Sequence, residues 1–535
     1  MFKEVKHKLG GFFSREEKSL DDLLKDQLLE LTSEKAEFSG FLALSKTCRA
    51  IERRDVIGSY FRVPYYAWKS RLKKEDRLKL LQNLRAAAKH HDLTDHDLVI
   101  YTGLVARLLG LSEEERNSFN LYQRQLTSVA TFDASHLFEF MLVLYAERDR
   151  AAVKKFTALA LERPDLTPWQ RELYCDFHME VSYQLIATHI FQNNLEPAHL
   201  ADLYSAYNLV LAQLGADSPH MPHYQGLIAC VEKRMDDAVS LFASDKVGQA
   251  YRSQFFRAGA NIVSLKHLEA LAASPCAVTG SLTFGMRNKT IKSCTLISCN
   301  AVYFYMYAEG FVESFSIHNP GGLVHIHAVD FEPEEDRIEA MEKAYGVHIN
   351  ITLDRQPLGD LSPDLMKGYC AGARYMYLPA YLERYDRVII TDVDGVLNTS
   401  QQAVWQASDA SVLLSTLFME PDRRAHFVFW SNIGAGATGL RADDGGRAFA
   451  HMIGAYLLER FVVCQKEGGR FFFSDQVGLL LSLLALKAKY GFARMPALFD
   501  QSGSNKSAGR GKAKKDAQEA LLHGMRKPGI KAKAN

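Results

Sequence analysis

The chain has 535 residues, 64 Lys and Arg against 63 Asp and Glu, a formal net charge of +1, and 47% hydrophobic residues. This length holds several domains and the composition is that of a globular protein, while the balanced charge excludes a global field for nucleic acid or for an anionic membrane. The eight cysteines are scattered with no Cys-x-x-Cys pair, which excludes a zinc-ribbon or thioredoxin-type motif.

The segment Leu9–Phe13 is too short for a signal-peptide core. No apolar run approaches the ~18 residues of a membrane-spanning helix. Thiols in apolar surroundings point to a reducing, cytoplasmic setting, and peripheral membrane contact stays open.

Residues 1–275 read as an all-α domain, either a solenoid or an irregular bundle. Ser14 and Glu17 have capping-box spacing, and Leu20, Leu23, Leu24, Leu28 and Leu31 then recur at helical intervals. The same periodicity returns over Leu98–Leu111, Leu137–Leu161, Trp169–Phe191, Leu200–Leu214 and Tyr224–Phe242. Pro164-Asp165, Asn193-Asn194 and Ser218-Pro219 separate these stretches. Gly226, Ala238 and Phe242 occupy the small, small and aromatic positions of a tetratricopeptide repeat, but no strict period recurs, so a plain helical domain is the preferred reading. Such helical arrays expose extended surfaces suited to an acceptor or a protein partner.

The pattern changes near residue 276. Ser293–Cys299, Leu323–Val329, Val347–Thr352 and Val388–Thr391 read as strands, with helices expected over Glu332–Tyr345 and Asp364–Leu382. His426–Trp430 and Arg470–Phe473 are later strand candidates. Strands alternating with helices indicate an α/β sheet with parallel strands, whose ligands bind at the carboxyl ends. Asp392 and Asp394 follow the fourth strand at once. Side chains two apart on an extended chain share a face, so both carboxylates can reach one ligand. Hard anionic oxygens of this kind suit Mn²⁺ or Mg²⁺, and they equally suit a nucleophile paired with an acid.

Several blocks in order carry a resemblance. Cys299-Asn-Ala-Val-Tyr303, Phe311-Val-Glu-Ser314 and His325-Ile-His327 look like an opening strand, first helix and second strand. Ala373-Arg-Tyr-Met-Tyr-Leu-Pro379 then precedes Tyr385–Asp394, Ser431–Gly436 follows, and Phe473-Ser-Asp-Gln476 opens a helix. Together these resemble the DxD-bearing, nucleotide-sugar-dependent glycosyltransferases of the GT-A fold, in particular the family of glycogenin and the lipopolysaccharide galactosyltransferases. The resemblance implies a GT-A-like, Rossmann-like mixed-sheet catalytic domain over 286–500. It implies that Asp392 and Asp394 hold a divalent metal that bridges the diphosphate of a nucleoside-diphosphate sugar. Arg374 would contact the nucleotide or its phosphates, and Asn300 and Tyr303 would line the base pocket. Asn432, Asp475 and Gln476 would bind the donor sugar or acceptor hydroxyls. The acceptor would be a saccharide, a lipid or a protein. Family members often add a histidine as third metal ligand; this chain has none between His451 and His523, which leaves water, Asn505 or another oxygen.

Residues 501–535 carry nine Lys or Arg against two acidic residues and read as a basic flexible tail. Its Gly-rich start, with Lys506, Arg510 and Lys512, offers donors that can fold over a diphosphate.

Two alternatives stand beside this reading. Asp392-Val-Asp-Gly also resembles the first motif of haloacid-dehalogenase-type phosphatases, with Asp392 as nucleophile, Val428–Asn432 as second motif, Lys466 as the lysine and Asp475 as the late acid. Against it, that motif opens its domain, whereas strands here begin about a hundred residues earlier. The other alternative is a non-catalytic helical scaffold carrying a degenerate transferase domain.

Overall fold

In a computed structural model, the described residues are 27, 30–31, 37–45, 74–89, 94–108, 111–126, 129, 132–133, 137, 139–141, 143–144, 149–191, 196–232, 234–244, 261–273, 282–416, 433–467, 471–496 and 512–526. Contacts divide the chain into two compact units with the border at Tyr224 and Gln225, residues 246–255 grouping with the first.

The first unit is helical. Its elements are α1 (Lys74–Lys89), α2 (Asp95–Leu108), α3 (Glu113–Gln125), α4 (Arg150–Leu161), α5 (Pro168–Phe191) and α6 (Pro197–Leu214). The stretch 137–161 is not one helix, because the Asp149 carboxylate accepts from Ala152 N–H and starts α4 afresh. Ser112 and Glu115 form a capping box at the head of α3. Glu115 also takes Arg85 of α1 at 2.8 Å and Tyr101 of α2 at 2.6 Å, so one carboxylate ties three helices. The core centres on Phe140, whose ring meets Phe119, Phe132 and Phe156 at centroid distances of 5.7, 5.5 and 4.8 Å.

The second unit contains most of α7 (Met221–Val231), then α8 (Met235–Ser244) and α9 (Leu265–Ala273), followed by an eight-stranded mixed sheet. At Gly226 a Cβ would lie 2.8 Å from the Phe242 ring, so the small residue admits the aromatic one. The strands are β1 (Leu282–Gly285), β2 (Ser293–Cys299), β3 (Leu323–Val329), β4 (His348–Asp354), β5 (Arg387–Thr391), β6 (Val412–Thr416), β7 (Ile433–Arg441) and β8 (Phe492–Arg494), in the order β1-β4-β3-β2-β5-β7-β6-β8. The four strands read from sequence form the parallel centre β4-β3-β2-β5. Three junctions depart from the parallel expectation, since β1 pairs with β4, and β7 with both β5 and β6, in antiparallel fashion.

Alternation along the strands gives the sheet two different faces. Ile297, Val324, Ile326, Ile349 and Ile389 join one apolar core with Phe304, Phe311, Phe315, Ile338 and Met341. These last come from the π-helical turn Phe304–Ala308, from α10 (Glu309–His318) and from α11 (Glu335–Tyr345). The other face carries polar side chains against α12 (Pro363–Met376) and α13 (Leu378–Leu382). His325 bonds Tyr385 and Thr352 at 2.7 and 2.8 Å, and His327 bonds Tyr381 and Asp354 at 2.7 and 3.0 Å. Asp354 also accepts from Tyr369 at 2.9 Å.

The expected helix over 364–382 is two helices. Ser362 caps α12 with Pro363 at its first position, and Pro379 forces a new start near Tyr377. After α14 (Gln401–Gln406) come α15 (Asp444–Glu467), α16 (Ser474–Leu486) and α17 (Lys512–Arg526).

Two expectations fail. Phe471–Phe473 is a turn into α16, not a strand, because Phe471 is needed in the core against Phe461. Residues 512–526 of the expected flexible tail form α17, whose Gln518 and Leu522, one turn apart, are each 2% exposed. Gly310 of α10 makes room for both, and Gln518 donates to the Gly395 carbonyl at 3.3 Å. The expected strand at 426–430, Asn432, Lys506 and the Gly-rich stretch 501–511 lie outside the described residues.

Candidate active site

Asp392 is placed by strand chemistry. Val388, Ile389 and Ile390 are buried on both faces of the sheet, and the chain leaves it after Thr391. β5 has β2 on one side and β7 on the other. Asp392 therefore stands at the carboxyl edge of the parallel strands, half-buried, as does Asp394 in the following turn. Thr391 pairs with Ala437, so Gly436 lies beside Asp392. A Cβ at Gly436 would sit 3.1 Å from Asp392 Oδ2. A Cβ there would press on the carboxylate and shift it by a few tenths of an ångström.

Arg374, in the last turn of α12, reaches the same point from beneath the sheet edge. It is 3% exposed, and its guanidinium donates to Asp392 Oδ1 at 2.6 Å, to the Ala435 carbonyl at 3.2 Å and to the Thr391 carbonyl. Its neighbour Tyr375 donates to the same Ala435 carbonyl at 2.7 Å. α12 is thus pinned across β5 and β7 by two consecutive residues. Burial opposes the Arg374 charge, but Asp392, Tyr375 and Asp475 together offset it and hold the guanidinium above its usual value. Asp392 Oδ2 makes no hydrogen bond among the described residues. One oxygen is spent on the arginine and the other is available.

Asp475 opens α16 and belongs to the same electrostatic cluster. Burial pushes its carboxyl above the usual carboxylate range, Arg374 opposes that shift and Asp392 adds to it. Its Oδ1 accepts from the adjacent Gln476 N–H at 2.9 Å in the first turn of the helix. Gln476 is half-buried beside it.

The fold thus brings together Asp392, Arg374 and Asp475, which are far apart in sequence. Asn300 lies at the same edge, one residue past the end of β2, but its side chain caps the next helix by accepting from Tyr303 N–H at 3.1 Å. Tyr303 is 44% exposed and leans on Tyr307. Lys466 lies in the last turn of α15. Sequence reasoning missed Tyr375 and Gly436 as parts of the site. The glycines of 433–439 were the signal for Gly436, since a strand rich in glycine usually marks a close approach.

A divalent cation fits this donor set in part. Asp392 Oδ2 and the Asp394 carboxylate are hard oxygens on one turn. Among the described residues no group of three His, Cys, Asp or Glu could hold a metal. Mg²⁺-type sites are commonly held by one or two carboxylates plus substrate phosphates and water, and two carboxylates match that pattern.

No protein-family description and no curated protein matches the sequence. Solved structures do match over 38% of this chain. The apo glycosyltransferase GlyE of Streptococcus pneumoniae TIGR4 is 14% identical with a TM-score of 0.26, and the match spans 45% of that chain. The galactosyltransferase LgtC, in complex with donor and acceptor sugar analogs, is 15% identical over 72% of its length with a TM-score of 0.25. Mouse xyloside xylosyltransferase 1 is 12% identical over 85% of its length with a TM-score of 0.24. The present chain thus spans less than half the length of GlyE. All three are glycosyltransferases, and with overlaps this partial the functional reading rests on the geometry of Asp392, Arg374 and Asp475.

Proposed function

We propose that the chain is a metal-dependent glycosyltransferase with a GT-A-like domain, moving a sugar from a nucleoside-diphosphate donor to a saccharide, lipid or protein acceptor. The observation that carries this reading is the half-spent Asp392 carboxylate. It stands at the carboxyl edge of parallel strands, one oxygen fixed by Arg374 and the other available, with Asp394 two residues on. Asp392 and Asp394 would hold Mn²⁺ or Mg²⁺, which when bound neutralises charge on the departing diphosphate.

The protein's own groups supply positioning and electrostatics. Arg374 fixes the orientation of Asp392, and its charge favours an anionic donor at this edge. Asp475 and Gln476 lie where donor sugar or acceptor hydroxyls would be held. Burial raises the Asp475 carboxyl above its usual range, and its oxygens can accept from a sugar hydroxyl. Asn300 and Tyr303 would flank the base from the end of β2, and Asn432 and Lys506 complete the set proposed from sequence. The helical unit is read as the acceptor- or partner-binding surface. Acceptor crosslinks confined to residues beyond 225 would rule that out.

The deciding experiment is a screen of purified protein against nucleotide sugars with Mn²⁺, reading released nucleoside diphosphate. Turnover is expected, and Asp392→Ala and Asp394→Ala are each expected to lower it by roughly 100-fold or more. Hydrolysis of simple phosphoesters without sugar-nucleotide turnover would replace this reading with the phosphatase one. The sheet argues for the transferase, because β2, β3 and β4 already precede β5 within it.

A further inference from the structure

Asp475 is aimed by a turn that is fastened from three sides. Phe473 has φ 75°, a left-handed conformation costly for a bulky side chain. Strain of this kind persists only where the surroundings impose it. From one side, Asp364 Oδ2 accepts from both Phe471 N–H and Phe472 N–H, at 2.7 and 3.2 Å. From another, the Asn261 side-chain amide donates to Ser474 Oγ at 2.9 Å. Both residues are essentially unexposed, at 1% and 0%. From within the turn, Ser474 N–H donates to the Phe471 carbonyl at 3.0 Å.

The two outside anchors are themselves fixed. Asp364 lies in the first turn of α12, and Arg374 lies in its last turn. One rigid helix therefore holds the Asp475 turn at one end and Asp392 at the other. Gly368 between them lets the turn close in, since a Cβ there would meet the Phe471 ring at 2.6 Å. Asn261 is held by Tyr456 of α15, which donates to its carbonyl at 2.8 Å. It comes from a segment that the sequence assigned to the helical domain, yet it reaches across 213 positions to Ser474.

We infer that Asn261 and Asp364 are positioning residues that lock the turn 471–474 and so set Asp475 against Arg374 and Asp392. The catalytic consequence rests on the glycosyltransferase reading; the lock itself does not. The side-chain hydrogen bonds described for both residues run to this turn and to Cys464 of α15. Their loss should therefore disturb the sugar-facing half of the site and spare the diphosphate-facing half.

The test uses the full chain and the variants Asn261→Ala, Asp364→Ala and Asp364→Asn, the last keeping a carbonyl oxygen for the two N–H groups. Hydrogen exchange of the 471–476 amides should rise roughly tenfold or more in the two alanine variants, as expected for lost buried hydrogen bonds. Exchange at 392–397 and the affinity for Mn²⁺ with UDP should stay within about twofold. kcat for UDP-galactose hydrolysis should fall at least about tenfold, the scale of a misplaced group. Asp364→Asn should recover most of that loss, which general destabilisation would not allow. If Asn261→Ala does not fold, Ser474→Ala removes the same bond more gently. Unchanged exchange at 471–476 overturns the inference, as does raised exchange with unchanged kcat. If the wild-type protein neither binds Mn²⁺ with UDP nor turns over UDP-galactose, the glycosyltransferase reading fails for this donor and the lock is decided by exchange alone.

Discussion

The sheet of the second unit carries two polar clusters of opposite character. Under its polar face, His325, His327, Asp354, Tyr369, Tyr381 and Tyr385 form a network in which both rings of the histidines are bonded at both nitrogens and His327 and Asp354 are 0% exposed. At its carboxyl edge Arg374 pairs with Asp392, with Asp475 adding its charge, but the Asp392 side chain is 50% exposed and one of its oxygens is unspent. Catalytic residue types occur in both, so residue type alone does not make a site. Access and unspent hydrogen-bonding capacity do. A saturated buried network specifies packing, whereas a half-satisfied one at a strand end can receive a ligand.

That contrast can be broken in four ways, beginning with the largest effect. Asp354→Ala leaves His327 Nε2 unpaired and takes from Tyr369 one of its two buried partners, and should cost about 3 kcal/mol or more of stability by urea unfolding. Variant that remains folded should keep its affinity for Mn²⁺ with nucleotide, and loss of that affinity with little change in stability would move the network into the site. Asp394→Ala should do the reverse. Unfolding should change by less than about 1 kcal/mol, while nucleotide-sugar turnover falls roughly 100-fold, or about 2.7 kcal/mol of barrier.

Gly436→Ala sharpens the geometry, since its Cβ must push Asp392 Oδ2. A cost of about 1 kcal/mol in stability is expected, with nucleotide affinity by calorimetry weakened by about fivefold; unchanged affinity would show that Asp392 need not sit where it does. The smallest effect concerns Asp475. Its folded carboxyl is raised by burial, so its contribution to stability is fully present below the unfolded carboxylate value near about 4 and is lost as pH rises through the folded one. Asp475→Asn should therefore gain on wild type between acid and neutral pH in paired unfolding curves. A gain that runs the other way would show that Arg374 dominates the site.

The four central strands were legible because each is an apolar run, and Asp392 because two carboxylates follow one such run directly. β7 was not legible as a whole strand. Its residues Ile433–Arg441 include three glycines, which weaken strand propensity, and the reason for two of them is tertiary. Gly436 faces Asp392 and Gly439 faces Trp405 and Met495. Phe471–Phe473 misled for the opposite cause, since three aromatics read as strand while their partners, Phe461 and Asp364, lie elsewhere in the chain. In residues 512–526 the lysines masked the spacing of Gln518 and Leu522, which are buried one turn apart. Within the site, Asp392 was visible locally, whereas its pairing with Arg374 depends on where α12 ends.

The order of the strands has a kinetic consequence. Four of the seven neighbouring strand pairs in the sheet are not consecutive in the chain, and Asn261 meets Ser474 only across 213 residues. Closing such loops costs entropy before any contact compensates for it. The charged edge is therefore among the late features to assemble, after the parallel centre on which it stands. A refolding experiment should recover the bulk of the secondary structure before it recovers any affinity for metal and nucleotide.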